Sequence, residues 1–153
     1  MDKVTQIIKE KSLSLLLYTA LYVIVLGFLR WKLTPDITIL YYVLGGALGV
    51  YFMDIAELIF DIKPSPFHSI VFLGLFAAVS FFIVTSSGNL FAIGLVLSLF
   101  FNLLFSQVHE WMTKHTLDSW FTMVNADVPP KTQFWILIGT GAFLVIESII
   151  FIR

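Results

Sequence analysis

The sequence predicts an all-α polytopic integral membrane protein, with about five transmembrane helices and an interfacial amphipathic helix after the fourth. Three observations lead there. The chain of 153 residues is 59% hydrophobic, with a mean hydropathy of +0.95. Only 12% of it is charged, about half the share of an ordinary soluble domain, roughly 25%. Its apolar residues fall into five long runs, each separated from the next by polar or proline-containing breaks. At 1.5 Å of rise per residue such runs approach or exceed a hydrocarbon core of about 30 Å. We read a single transmembrane helical domain over residues 1–153.

Met1–Ser12 carries Lys3, Lys9 and Lys11 around Ile7 and Ile8, the pattern of an amphipathic lead-in on the membrane surface. The first span is Leu13–Leu29, closed by Arg30-Trp31-Lys32. No small-residue cleavage site follows it, so it reads as a retained helix and not a removed signal peptide. Thr34-Pro35-Asp36 makes a turn into the second span, Ile37–Phe60. Gly45 and Gly49 lie one turn apart in that span beside Gly46, a spacing that lets helix backbones approach closely. Lys63-Pro64-Ser65-Pro66 breaks the chain again before the third span, Phe67–Val84. Thr85-Ser86-Ser87-Gly88-Asn89 is a tight polar turn, which pairs the third span with the fourth, Leu90–Ser106. Gln107–Gln133 mixes Trp111, Trp120 and Phe121 with His, Lys and Asp, as an interfacial amphipathic helix does, and Pro129-Pro130 ends it. The fifth span is Phe134–Ile152, capped by Arg153. Trp31, Trp111, Trp120 and Trp135 fall near the ends of spans and read as interfacial anchors.

Composition also excludes. The formal net charge is −1 and there is no basic tract, so no nucleic-acid partner is expected. With no cysteine there are no disulfides, iron–sulfur clusters or thiolate zinc sites. With five spans, the side holding the N-terminus carries Lys3, Lys9, Lys11, Lys63, Lys114 and Lys131, against Arg30, Lys32 and Arg153 on the other. The positive-inside rule then puts the N-terminus in the cytoplasm.

The polar residues inside the apolar runs are the functional candidates. Asp54, Glu57 and Asp61 recur at i, i+3, i+7, one face of a helix. A charge at the bilayer centre costs about 2.5–3.5 kcal/mol on insertion scales and usually faces protein or a wet cavity. Five crossings bring the end of the second span, the start of the third and the end of the fourth to one membrane face. Asp54 and Glu57 therefore share a depth with His68 and with Asn102, Ser106 and His109, themselves at i, i+4, i+7. Carboxylates with imidazoles suit a hard or borderline divalent metal such as Zn or Mn. The same groups suit proton handling, a polar headgroup, or a buried network that fixes helix packing. Asp61, beside Lys63 and the chain break, reads as a span-end residue. Glu147 in the fifth span reads as a carboxylate that snorkels to the opposite face, with Arg153 nearby. His109-Glu110 with His115 lacks the i, i+4 histidine spacing of a zincin, and that reading is set aside.

These residues resemble the membrane-bound metal-dependent hydrolase family of bacterial inner membranes. That family carries a glycine-containing helix ending in D-x-D-H, a T-H-S at the next span and S-H-L-L-L-D late in a following one. Here Gly45-Gly46-Ala47-Leu48-Gly49 leads into Asp54-Ile55-Ala56-Glu57, then come Phe67-His68-Ser69 and Phe101-Asn102-Leu103-Leu104-Phe105-Ser106. The similarity spans about residues 44–109, in the family's order. Asp54 and His68 keep the family's identities; Ala56, Glu57, Asn102 and Ser106 stand where it has an acid, a histidine, a histidine and an acid. The resemblance implies a membrane hydrolase lineage, a divalent metal (Zn or Mn), and Asp54, Glu57 and His68 as catalytic residues. Asn102 and Ser106 would orient substrate, and a rebuilt metal site would use Asp54, Glu57, His68 and His109. The departures imply a degenerate or remodelled site with weak or absent metal catalysis. Two other classes stay open: a non-catalytic membrane subunit whose acid stripe pairs with another membrane protein or a second copy, and a small cation- or proton-linked channel or carrier. Each has the lipid bilayer as its first partner.

Overall fold

The computed structural model describes residues 12–32, 34, 36–61 and 65–153. The amphipathic lead-in expected over residues 1–11 lies outside them, as do Pro35 and Lys63-Pro64 of the two breaks. Every long element is a helix: α1 Leu13–Trp31, α2 Thr38–Phe60, α3 Ile70–Ser86, α4 Leu90–Lys114 and α6 Pro130–Ile152. Between α4 and α6 lie a single helical turn, α5 Asp118–Phe121, and a 3-10 turn, Thr122–Val124. Four helices (α1, α2, α4 and α6) are long and apolar enough to cross a membrane, and α3 is a shorter apolar helix of 17 residues. The polytopic helical membrane class is therefore the observed one.

Helix ends follow local chemistry. The Ser69 hydroxyl accepts from Phe72 N at 3.2 Å, and the Asn89 amide oxygen accepts from Phe91 N at 3.0 Å, each satisfying donors the first turn leaves free. Pro130 opens α6, where a missing N–H costs nothing. Lys32, Asp61 and His115 end α1, α2 and α4 in the left-handed conformation, with φ of 46°, 46° and 56°.

Side-chain pairings give the directions. α2 and α4 run parallel, since Gly45 meets Phe91, Gly49 meets Leu95 and Val50 meets Asn102. α4 and α6 run antiparallel, through Phe100 with Phe143 and Trp111 with Phe134. α1 is antiparallel to α2 (Val23 on Gly46, Trp31 on Tyr42) and parallel to α6 (Tyr22 with Ser148, Trp31 with Phe151). The chain therefore alternates direction at each long helix. The proximal face, where α1 begins, also holds the α2–α3 junction and the segment from α4 to α6. The distal face holds the turns after α1 and α3 and the end of α6.

α4 is the central helix: 56% of its most apolar stretch is buried inside the protein, against 28% for α1, α2 and α6. Its tightest neighbour is α2. A β-carbon at Gly45 would overlap the Phe91 carbonyl oxygen, one at Gly94 the Tyr42 carbonyl oxygen, and one at Gly49 would stand 2.5 Å from the Leu95 carbonyl oxygen. The glycines thus let two backbones touch in a medium where close packing, not water exclusion, drives association.

The fourth helix runs eight residues past the expected end at Ser106, because the polar residues after it continue the same helix. The interfacial segment is correspondingly short and broken. Trp120, expected as a lipid anchor, is 1% exposed and packs into the protein. Trp135 does stand on the surface.

Candidate functional site

The proximal face carries the expected acids and histidines, and beside them residues 115–129 form a small cap. Gln133, at the first turns of α6, pins that cap. Its Oε1 accepts from Leu117 N at 2.6 Å, and its Nε2 donates to Asp118 Oδ1 at 2.6 Å and to Val128 O at 2.8 Å. Glu110, near the end of α4, does the same from the other side. It accepts from Ser119 Oγ at 2.6 and 2.7 Å and from Trp120 Nε1 at 3.1 Å, and pairs with Lys114 at 3.6 Å. Leu117, Trp120 and Phe121 are thereby held inside the bundle end. The reason is energetic: a buried N–H without a partner costs about 1–3 kcal/mol, and Gln133 removes that cost for Leu117.

The six expected site residues lie on α2, at the α2–α3 junction and on α4. His68 lies under the cap, its ring edge-on to Trp120 at 5.6 Å between centroids. Glu57, half-buried, accepts a hydrogen bond from Ser65 across the α2–α3 junction. Asp54 is half-buried one turn earlier on α2. Asn102 is buried and donates through Nδ2 to Val50 O at 3.1 Å, tying α4 to α2. Ser106 Oγ donates to Asn102 O at 3.0 Å within its own helix. His109 is exposed and lines a recess of about 470 Å³ with Ser12, Leu15, Phe105, Ser106, Glu110, Thr113 and Lys114, where the start of α1 meets the end of α4. Neither Asp54, Glu57 nor His68 borders that recess.

A metal ion needs three or more such side chains converging at one point. Among the described residues no three His, Asp or Glu side chains gather to hold one. No such group includes Asp54, Glu57, His68 or His109 among the described residues.

Glu147 lies deeper than its place near the helix end suggests. It was expected to snorkel, yet it is 0% exposed. Its Oε2 accepts from Ser80 Oγ of α3 at 3.0 Å, and its Oε1 is buried with no hydrogen-bond partner among the described residues. Beside it the Tyr22 hydroxyl of α1 meets Ser148 Oγ at 2.7 Å. Tyr42 of α2 stacks on Phe151 at 4.9 Å. The signal was present: Thr140, Leu144, Glu147, Ser148 and Phe151 share one helical stripe with i, i+4, i+7 spacing, and that stripe is the buried one.

No protein-family model, curated protein or solved structure matches this chain.

Proposed function

We propose that this chain is a non-catalytic integral membrane protein, a divergent relative of membrane metal-dependent hydrolases whose ligand positions have been given over to holding helices together. The observation that carries this reading is Asn102. It stands where the family's motif has a histidine, and its amide is spent on the Val50 carbonyl across the α2–α4 contact. Ser106, at the acid's position, is likewise committed to the backbone. A metal needs lone pairs aimed at a shared point, and these groups aim elsewhere.

A protein without a reaction centre works through its surfaces. Here those surfaces belong to a bacterial inner membrane, with the proximal face in the cytoplasm on the Lys and Arg balance, and the partner is a second membrane protein or a second copy. Purified protein is expected to carry no stoichiometric zinc or manganese by elemental analysis and to hydrolyse no phosphoester lipid. Cross-linking in native membranes is expected to capture a membrane-embedded neighbour. Stoichiometric metal that is lost on Asp54→Ala would overturn the reading.

A further inference from the structure

Glu147 differs from every other acid among the described residues, all of which are exposed or half-buried. It sits five residues before the end of α6, about 7.5 Å of helix rise inside the distal end. At that depth there is no bulk water to complete a hydrogen-bond shell, so each polar group must be satisfied by protein.

The hydroxyl protons around it can be assigned. Ser148 donates to Leu144 O at 2.7 Å, so its lone pair receives the Tyr22 proton at 2.7 Å. Tyr22 is thereby committed to Ser148. Ser80 is committed to Glu147 Oε2. Oε1 is left with no donor among the described residues. A carboxylate here would hold a full charge on one hydrogen bond, and burying an ion so poorly paired costs several kcal/mol. A metal cation in its place would need about six oxygen ligands; Tyr22, Ser80 and Ser148 are already engaged, and the Tyr42 hydroxyl, buried with no hydrogen-bond partner among the described residues, is a single further oxygen. A proton needs one lone pair.

We propose that Glu147 is a proton-exchange site within the membrane. A hydronium ion at the distal face gives a proton to a carboxylate oxygen: one O–H bond breaks in the donor, one forms on Glu147, a water molecule is left and the side chain is neutral. Release of the proton leaves a charge between α1, α3 and α6, held among the described residues by Ser80 alone, and so loosens the packing of α6 against α3. The groups facing this site from its neighbours are few. α1 presents Tyr22 and, nearer the distal end, Arg30, whose guanidinium bonds Phe151 O at 2.7 Å. α2 presents Tyr42. α3 has no titratable side chain at all, and those of α4 lie at its proximal end. Lys131 and Arg153 stand at the two ends of α6 itself. No ion pair reaches Glu147 among the described residues. This inference stands on burial and hydrogen bonding and is independent of any hydrolase ancestry.

Infrared difference spectroscopy of the full chain in phosphatidylcholine–phosphatidylglycerol vesicles, across a pH titration, reads the site directly. The expected result is a carboxylic-acid carbonyl band that comes and goes with pH in the wild type and is missing from Glu147→Gln. Superimposable wild-type and Glu147→Gln spectra at every pH would overturn the proposal. A second variant guards against a folding failure: Ser80→Ala removes the one observed donor to the charged form, so the band is expected to persist to higher pH than in the wild type. A band whose titration Ser80→Ala does not move would also overturn the assignment.

Discussion

The two ends of this bundle treat carboxylates in opposite ways. At the proximal face Glu57 and Glu110 lie near the ends of their helices, half-exposed, each with a hydroxyl donor nearby, and Glu110 adds an indole and a lysine. In the distal half Glu147 lies inside, with one donor for two oxygens. The proximal acids look more costly in the sequence because there are several in one apolar run. In the fold they are the cheaper ones, because charge near an interface retains water and partners. Helical phase, rather than the number of acids in a run, decides which carboxylate the membrane interior must accommodate.

The closest helix contact in the bundle is the one between α2 and α4, so the largest expected effect is there. Gly45→Ala or Gly94→Ala forces a β-carbon into a neighbouring backbone carbonyl that cannot yield, and should destabilise by about 3 kcal/mol, the upper end for overpacking. Gly139→Ala, with open space around it, should gain about 0.5–1 kcal/mol of helix preference. Thermal unfolding in detergent separates the two, and equal effects would contradict the glycine contact. Next comes the cap: Gln133→Leu strands the Leu117 N–H and should cost about 1–3 kcal/mol. It should also speed amide hydrogen exchange at Leu117 and Trp120 while leaving α1 unchanged.

Distal chemistry should respond next. Ser80→Ala should cost about 1 kcal/mol through the lost hydrogen bond. The double change Ser80→Ala with Glu147→Met should recover that loss, since apolar groups replace both partners. Failure to recover would mean that Glu147 has a further partner. The smallest effect is expected at the acid stripe, where Glu57→Gln and Asp61→Asn should each change stability by less than about 1 kcal/mol. A larger loss at either would move the weight of the account back to the proximal face.

Most of the fold was legible in the apolar runs, and the boundaries of α1 and α2 fall within two residues of where hydropathy placed them. The end of α4 was not, because hydropathy registers polarity while a helix stops where its backbone bonds stop. Gln107 is polar, yet it is fully buried and helical, and the chain turns only at His115. Trp120 reads as a lipid anchor, and Phe121 as part of an interfacial helix, because their burial depends on Gln133 and Glu110, residues far enough along the chain that no local pattern links them. Asn102 and Ser106 were correctly placed on one stripe, but a stripe does not reveal that the amide reaches a carbonyl on α2. Glu147 was misjudged for a different reason: distance to the helix end measures depth, whereas the i, i+4, i+7 stripe through Thr140, Leu144 and Glu147 tells which way it faces.

The α2 acids Glu57 and Asp61 border water at the proximal face, while Glu147 is sealed in the bundle. The chain has no cysteine, so single-cysteine variants report without background. A membrane-impermeant maleimide should label Glu57→Cys and Asp61→Cys from one side of intact vesicles, and should label Glu147→Cys only after denaturation. Rapid labelling of Glu147→Cys in the folded protein, or protection of Glu57→Cys, would contradict the account.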